Sequence, residues 1–439
     1  MSALDRRSLP ISVGDQRAVD YFDDAVDDVL AFGGNSERYL SQSFELEDDF
    51  LLGHCLMALT NVIGNASSGL KKAKDSIDRA SRAANSVSDR EQLHLSAVKA
   101  WYDSDLALSS RLYQEIQRSH PTDLMALFAG HWLDFYLGDA KVLMERMDRV
   151  LGDWGESTPG YGYVLGMYAF GLEENGHYDQ AEELGRRSVE LNPADAWGVH
   201  SVTHVMEMTG RAEEGIEWLQ STLPGWGSST LKLHNWWHAL LLYIDLRDTD
   251  SVLDLYDTRL VDDDRVDAEA LADRVSALAR LSLLDVDVGH RWTVMAALWE
   301  PMMFDVRSPF NDLHALLAFR YSNHEDLAQA LMECVRNEYD RTIPMMRVGA
   351  GVLEGVDALF RGDNDAALAL LAENGGHVNL IGGSHAQRDL VSQMTLEAAI
   401  RAGEWASARA MLKERKLRRE SMPYAYSIQC EQRIAVGRS

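Results

Sequence analysis

"YAFGLEENGHYDQAEELGRRSVELNPADAW", residues 168–197, decides the fold. On either side of Gly176 the apolar residues recur at three- and four-residue steps, the spacing of one helix face. A glycine between two such stretches supplies the left-handed backbone that stops one helix and reverses the chain. Small Ala181 follows where the second helix must approach the first, and Pro193 closes the unit. The product is an antiparallel helix hairpin about 34 residues long. One hairpin alone cannot bury its apolar face, so copies are expected on both sides of it.

They are there. Related turns begin at Gly138, Gly210, Asp248, Asn323, Gly362 and Gly403. Their spacing is about 34 to 41 residues, apart from one double-length gap after Asp248. A degenerate turn in "LLDVDVG", residues 283–289, would divide that gap. Between turns the sequence reads as amphipathic helix, as in "DLMALFAGHWLDFYL" and "DAALALLAE", and β-branched alternation is scarce. The fold expected is all-α: a tetratricopeptide-like right-handed superhelix of antiparallel helix hairpins. The solenoid takes residues 95–420, with its core repeats at 162–260. Residues 1–94 form an N-terminal helical region with a wide loop near 64–76, in the Gly- and Ser-rich "GNASSGLKKAKDS", and residues 421–439 a tail or cap helix.

Net charge is -27, from 69 acidic and 42 basic residues. A field of that sign repels nucleic-acid backbones and anionic bilayers, so neither is expected as a partner. The three cysteines, Cys55, Cys334 and Cys430, lie far apart, and the N-terminus carries no apolar signal core. A cytoplasmic setting fits both observations. No residue argues for an oligomer, although exposed terminal repeats are compatible with a homodimer.

Chemistry concentrates in two consecutive first helices. "DAWGVHSVTHVMEM", residues 195–208, spaces His200 and His204 four apart, with Trp197 on the same stripe. "LHNWWHALLLYIDL", residues 233–246, repeats the pattern with His234 and His238, beside Trp237 and ahead of Asp245. Residues three and four apart share a helix face, so each helix offers a histidine pair towards the concave side. Three readings stay open. Four imidazoles suit zinc or a similar divalent ion, although the carboxylates that should orient them are not located. A histidine beside a carboxylate, His238 with Asp245 or Glu173, suits metal-free acid/base catalysis. Or the histidines are packed, hydrogen-bonded helix residues. No metal is favoured; if one binds, its ligands are His200, His204, His234 and His238.

Two further stretches carry polar groups. "SPFNDLHALLAF" brings Asp312 and His314 to a helix start, where Asn311 or Asp312 could equally cap free amides. "IGGSHAQRDL" offers Ser384 as a cap, with Arg388 placed to hold an anion, or an Arg–Asp pair tying two repeats. The Gly- and Tyr-rich "GYGYVLGMYAFGLEE" allows close helix approach on the concave wall, with Tyr161 or Tyr163 expected to face a ligand.

The stretch from "YVLGMYAFGLEENGHYDQAEELGRRSVELNPADAW", through "LHNWWHALLLYIDL" and "FNDLHALLAF", to "GGSHAQRDL" resembles the tetratricopeptide repeat protein 38 family. The likeness runs from roughly residue 95 to 420. It implies a tetratricopeptide-like all-helical fold, and His200, His204, His234, His238, Asp312, His314, Arg388 and Asp389 match the family's pattern. It carries no reaction with it.

Peptide-gripping repeats place Lys, Arg and Asn on their inner face, whereas this chain places His, Trp and carboxylates there. The reading preferred is therefore a pocket for a small polar or aromatic compound, transformed by histidine acid/base chemistry in the manner of a hydrolase or lyase. His200, His204, His234, His238, Asp312 and His314 are its candidate catalytic residues. Trp197, Trp237, Tyr163, Glu173, Asp245 and Arg388 are its candidate binding residues. The alternatives are a scaffold that binds a peptide in an open groove and a metal-dependent hydrolase built on the paired histidines.

Overall fold

The computed structural model describes residues 2–63, 67–261, 263, 265–304, 308–419 and 422–436. Among these the only strands are Ala3–Leu4 and Pro10–Ile11, a short antiparallel pair, and helices account for nearly everything else. The chain is all-α, as the sequence implies. It divides into two compact units: Met1–Val202 with Ser221–Lys232, and Thr203–Gln220 with Leu233–Ser439.

The turns explain the repeat. Ten first helices among the described residues end on a left-handed residue: Phe32, Ser104, Gly138, Gly176, Gly210, Arg247, Asp285, Asn323, Gly362 and Gly403. In each case the next residue's N–H returns to a carbonyl five positions back, as from Asp105 to Ala100, His177 to Leu172 and Glu404 to Ala399, at 2.8–3.1 Å. This is the Schellman closure, which satisfies carbonyls that a helix end leaves open. Asp105, Asp139, Asp248 and Asp363 then cap the second helix, each side chain accepting a backbone N–H three residues on. Asp285 supplies the degenerate turn expected in "LLDVDVG". Ser104 marks a hairpin, Asp89–Tyr102 with Leu106–Ser119, that no glycine announced.

Two kinds of helix alternate. The first helices are buried almost all round, as in Leu124–Tyr136 and Ala268–Leu283. The second helices bury only a stripe: Ala181, Gly185 and Ser188 in Tyr178–Leu191, or Ala367 and Leu371 in Asn364–Gly375. A helix apolar all round belongs inside, and an amphipathic one covers it. Within the first unit, Gly171 lets the Tyr161–Glu174 helix close on its neighbour, because a Cβ there would lie 2.8 Å from the Met144 Cα.

One sequence expectation fails here. Residues 64–66 lie outside the described residues, but from Ser67 to Ala83 the chain is helix, not wide loop. The serines and glycine that suggested a loop occupy only its first turn, and the charged remainder favours helix.

Candidate histidine centre

The second unit gathers three of the predicted histidines. His204 comes from the Ala196–Thr209 helix, and His234 and His238 from Lys232–Leu246. The His238 ring lies 4.4 Å from that of His204 and 4.9 Å from that of His234, centre to centre. One nitrogen from each ring falls within 4.8 Å of the others. All three side chains are buried.

Carboxylates back two of them. His234 Nδ1 lies 2.8 Å from Asp273, and His238 Nδ1 lies 3.1 Å from Glu207. An ionised carboxylate only accepts, so opposite one Nδ1 carries the proton, and the Nε2 of a neutral ring is left with its lone pair for a metal. Burial works against a charged His234, but the charge and hydrogen bond of Asp273 outweigh it and raise the pKa. Burial pushes the Glu207 carboxyl up to about 7, against the opposing charges of His204 and Arg419. Trp237 stacks on His234 with ring centres 5.1 Å apart, and the Arg280 guanidinium lies 5.5 Å over the Trp237 ring.

The carboxylate facing His238 Nδ1 is Glu207, a residue the sequence reading did not single out. Asp245 is held by Arg419 at 2.6 Å, and Glu173 is buried in the first unit. Glu207 stands three residues after His204, on the same helix face, in "HVMEM". Asp273 stands 39 residues after His234, one repeat further on. Attention confined to the interval between paired histidines passes over both.

The remaining candidates of this unit are spread out. His314 donates from Nδ1 to the Phe310 carbonyl at 2.8 Å, and burial lowers its pKa to about 4 while it senses Asp273 and Arg280. Asp312 accepts from the Tyr339 hydroxyl at 2.7 Å. It is not the helix cap, and neither is Asn311: Ser308 caps that helix. Arg388 donates to the Gly383 carbonyl. Ser384 forms the expected cap, and Asp389 pairs with Arg415 at 2.5 Å, so the tie between helices is made by Arg415. A groove of about 200 Å³ lies elsewhere in the unit, between Ile216, Leu219, Trp236, Tyr243 and the π-helical turn Tyr256–Val261. There Arg259 sits 5.1 Å over the Trp236 ring.

In the first unit, Trp197 is the centre of an aromatic cluster. Its ring lies 4.8 Å from Phe170, 5.3 Å from Trp132, 5.6 Å from His131 and 5.9 Å from Phe32. His200 stacks on it at 4.5 Å. A cavity of about 10 Å³ remains beside it, bordered by Tyr163, Asp195, His131 and Phe32, which is space for one water. Asp195 accepts from the Trp197 and Gly198 amides at 3.1 and 3.0 Å, and burial raises its pKa to about 6. His131 was not singled out by sequence. It is buried, and among the described residues neither ring nitrogen has a hydrogen-bond partner. Burial, reinforced by the charge of Arg146, lowers its pKa to about 3.

No family model matches this chain. Among solved structures, the chain is similar to one in a structure described as "Structure of Naa15/Naa10 bound to HypK-THB", at 12% identity over 97% of this chain and 73% of that one. The TM-score is 0.20. No helix is long and apolar enough to cross a membrane, among the described residues.

Proposed function

We propose that the second unit is a binding centre for a divalent transition metal, zinc being the best fit, with His204, His234 and His238 as ligands. One observation carries this reading: two of the three imidazoles turn Nδ1 to a buried carboxylate while ring nitrogens of all three converge within 4.8 Å. Histidines that ligate a metal are oriented in this way, with the second nitrogen donating to a carboxylate. Asp273 and Glu207 are the orienting groups that the sequence left unlocated. Three-histidine zinc sites are those that keep a fourth position open for water or substrate. The chemistry that follows is hydrolysis of a small polar compound, in a scaffold we place with the tetratricopeptide repeat protein 38 family. Metal-free acid/base catalysis by the same histidines is the lesser reading, because it gives no reason for three ring nitrogens to converge at one place.

Metal analysis of the untagged chain tests the proposal. The expected result is close to one zinc per chain, lost in His238→Ala. Less than about 0.1 equivalent of any transition metal, with none gained on incubation with zinc, would overturn it, because a buried site of this kind couples occupancy to stability.

A second reading, a scaffold that grips a peptide, is favoured by the groove beside Trp236 and Arg259. A peptide partner using it should lose binding in Trp236→Ala and Arg259→Ala with the metal content unchanged; binding that survives both substitutions sinks this reading.

A further inference from the structure

The cavity of the first unit raises a question that the histidine centre does not answer. His131 is 1% exposed and Trp197 is 7% exposed. Among the described residues, both His131 nitrogens and the Trp197 Nε1 are buried without hydrogen-bond partners. Each such group costs about 1–3 kcal/mol, so three at one place call for an occupant. His131 and Trp197 both border the cavity.

Phe32 forms one of its walls. This residue is half-buried, follows the Gln16–Leu30 helix, and holds a left-handed backbone with φ 55°. Two glycines succeed it in "FGG". The turn is the same helix closure as in the other hairpins, the Gly33 N–H returning to the Asp28 carbonyl at 2.8 Å, and it sets the Phe32 ring at the end of its helix. The Phe32 ring stacks on Trp197 with an interplanar angle of 23° and meets Trp132 edge-on. A benzene ring on Trp197 is thus already present, supplied by the chain itself.

We propose that this cavity is a binding site for a small neutral phenol, whose ring takes the place of the Phe32 ring on Trp197 and whose hydroxyl bonds to His131. The chemistry selects that class. A neutral imidazole offers one N–H and one lone pair, on opposite sides of the ring, and a hydroxyl, which both donates and accepts, can answer whichever of the two faces it. The depressed basicity of His131 agrees, because it keeps the imidazole neutral at ordinary pH. A quaternary ammonium would suit the aromatic walls but would leave His131 and the indole N–H unanswered. An anion would meet Asp195 on the cavity wall.

Calorimetric titration of the full chain with phenol and with benzene tests this, in chelator-treated protein so that the outcome is independent of the metal proposal. Phenol should bind one to one and at least tenfold tighter than benzene, as a site built around a hydroxyl discriminates. His131→Phe should remove that preference by weakening phenol at least tenfold, with benzene binding kept. No phenol binding, or equal affinities for phenol and benzene in the parent, overturns the proposal. Unchanged phenol affinity in His131→Phe overturns it as well. Should His131→Phe fail to fold, the phenol-to-benzene ratio of the parent protein decides alone.

Discussion

His131 and His238 are both buried on first helices, yet they are different chemical objects. His238 has Glu207 at 3.1 Å and two imidazoles within 5 Å of its ring centre. His131 has aromatic edges: Phe170 at 5.9 Å and Trp197 at 5.6 Å. A carboxylate behind an imidazole stabilises positive charge, whether a proton or a metal supplies it. An aromatic shell without one makes charge expensive and leaves a neutral donor–acceptor pair. Neighbours one repeat away, more than position on the helix, therefore decide what a buried histidine can do.

The comparison breaks most visibly at the metal. His238→Ala should lower zinc affinity at least about a hundredfold, measured by competition with a fluorescent chelator, whereas His131→Ala should leave it unchanged. Equal losses in the two variants would show that zinc, if bound, is not at this centre.

Asp273→Asn comes next. It keeps the shape of the side chain but removes the charge behind His234, and zinc affinity should fall about 10- to 100-fold. An affinity within twofold of the parent would mean that Asp273 does not orient a ligand.

The pH dependence of stability sharpens the other side. The folded pKa of His131 is depressed to about 3, below that of the unfolded histidine. Between roughly pH 6.5 and 3 the unfolded chain binds a proton that the folded chain refuses, so stability falls as pH drops through that window. His131→Phe removes this contribution. In denaturant titrations at pH 7 and pH 4.5, the variant should lose less stability on acidification than the parent. At pH 7 it should match or exceed the parent by about 1 kcal/mol, since an unpaired polar group gives way to an apolar ring. An unchanged acid slope would contradict a neutral His131.

The smallest effect should ignore the comparison altogether. Ser104→Gly in the first unit and Arg247→Gly in the second replace left-handed non-glycine residues. Each should stabilise by about 1 kcal/mol in thermal unfolding, whichever unit carries it. A difference in sign between the two would mean that the turns are not equivalent.

Most of the fold was legible because glycine betrays a left-handed turn. Gly138, Gly176, Gly210, Gly362 and Gly403 were each found by residue type, and Asn323 by its tolerance of that conformation. Ser104 and Arg247 were not, since nothing in their chemistry announces a positive φ; Asp248 was taken as the turn, one residue late. The histidines of the second unit were legible as pairs, because spacing on one helix is local. Their carboxylates were not, because Asp273 and His234 meet through the packing of successive hairpins and acidic residues are abundant in this chain. His131 escaped for the opposite reason: a single histidine in "LMALFAGHWLDFYL" has no companion to mark it.

The ten like turns have a consequence for how the molecule comes apart. Each hairpin closes on itself through one Schellman turn and packs mainly on the hairpins beside it. Long arrays of this kind lose all-or-none behaviour, so unfolding proceeds in segments and the calorimetric enthalpy exceeds the van't Hoff value. An ion held by His204, His234 and His238 would then act as a rivet between consecutive hairpins, delaying the opening of that segment while the terminal hairpins fray at their own temperature.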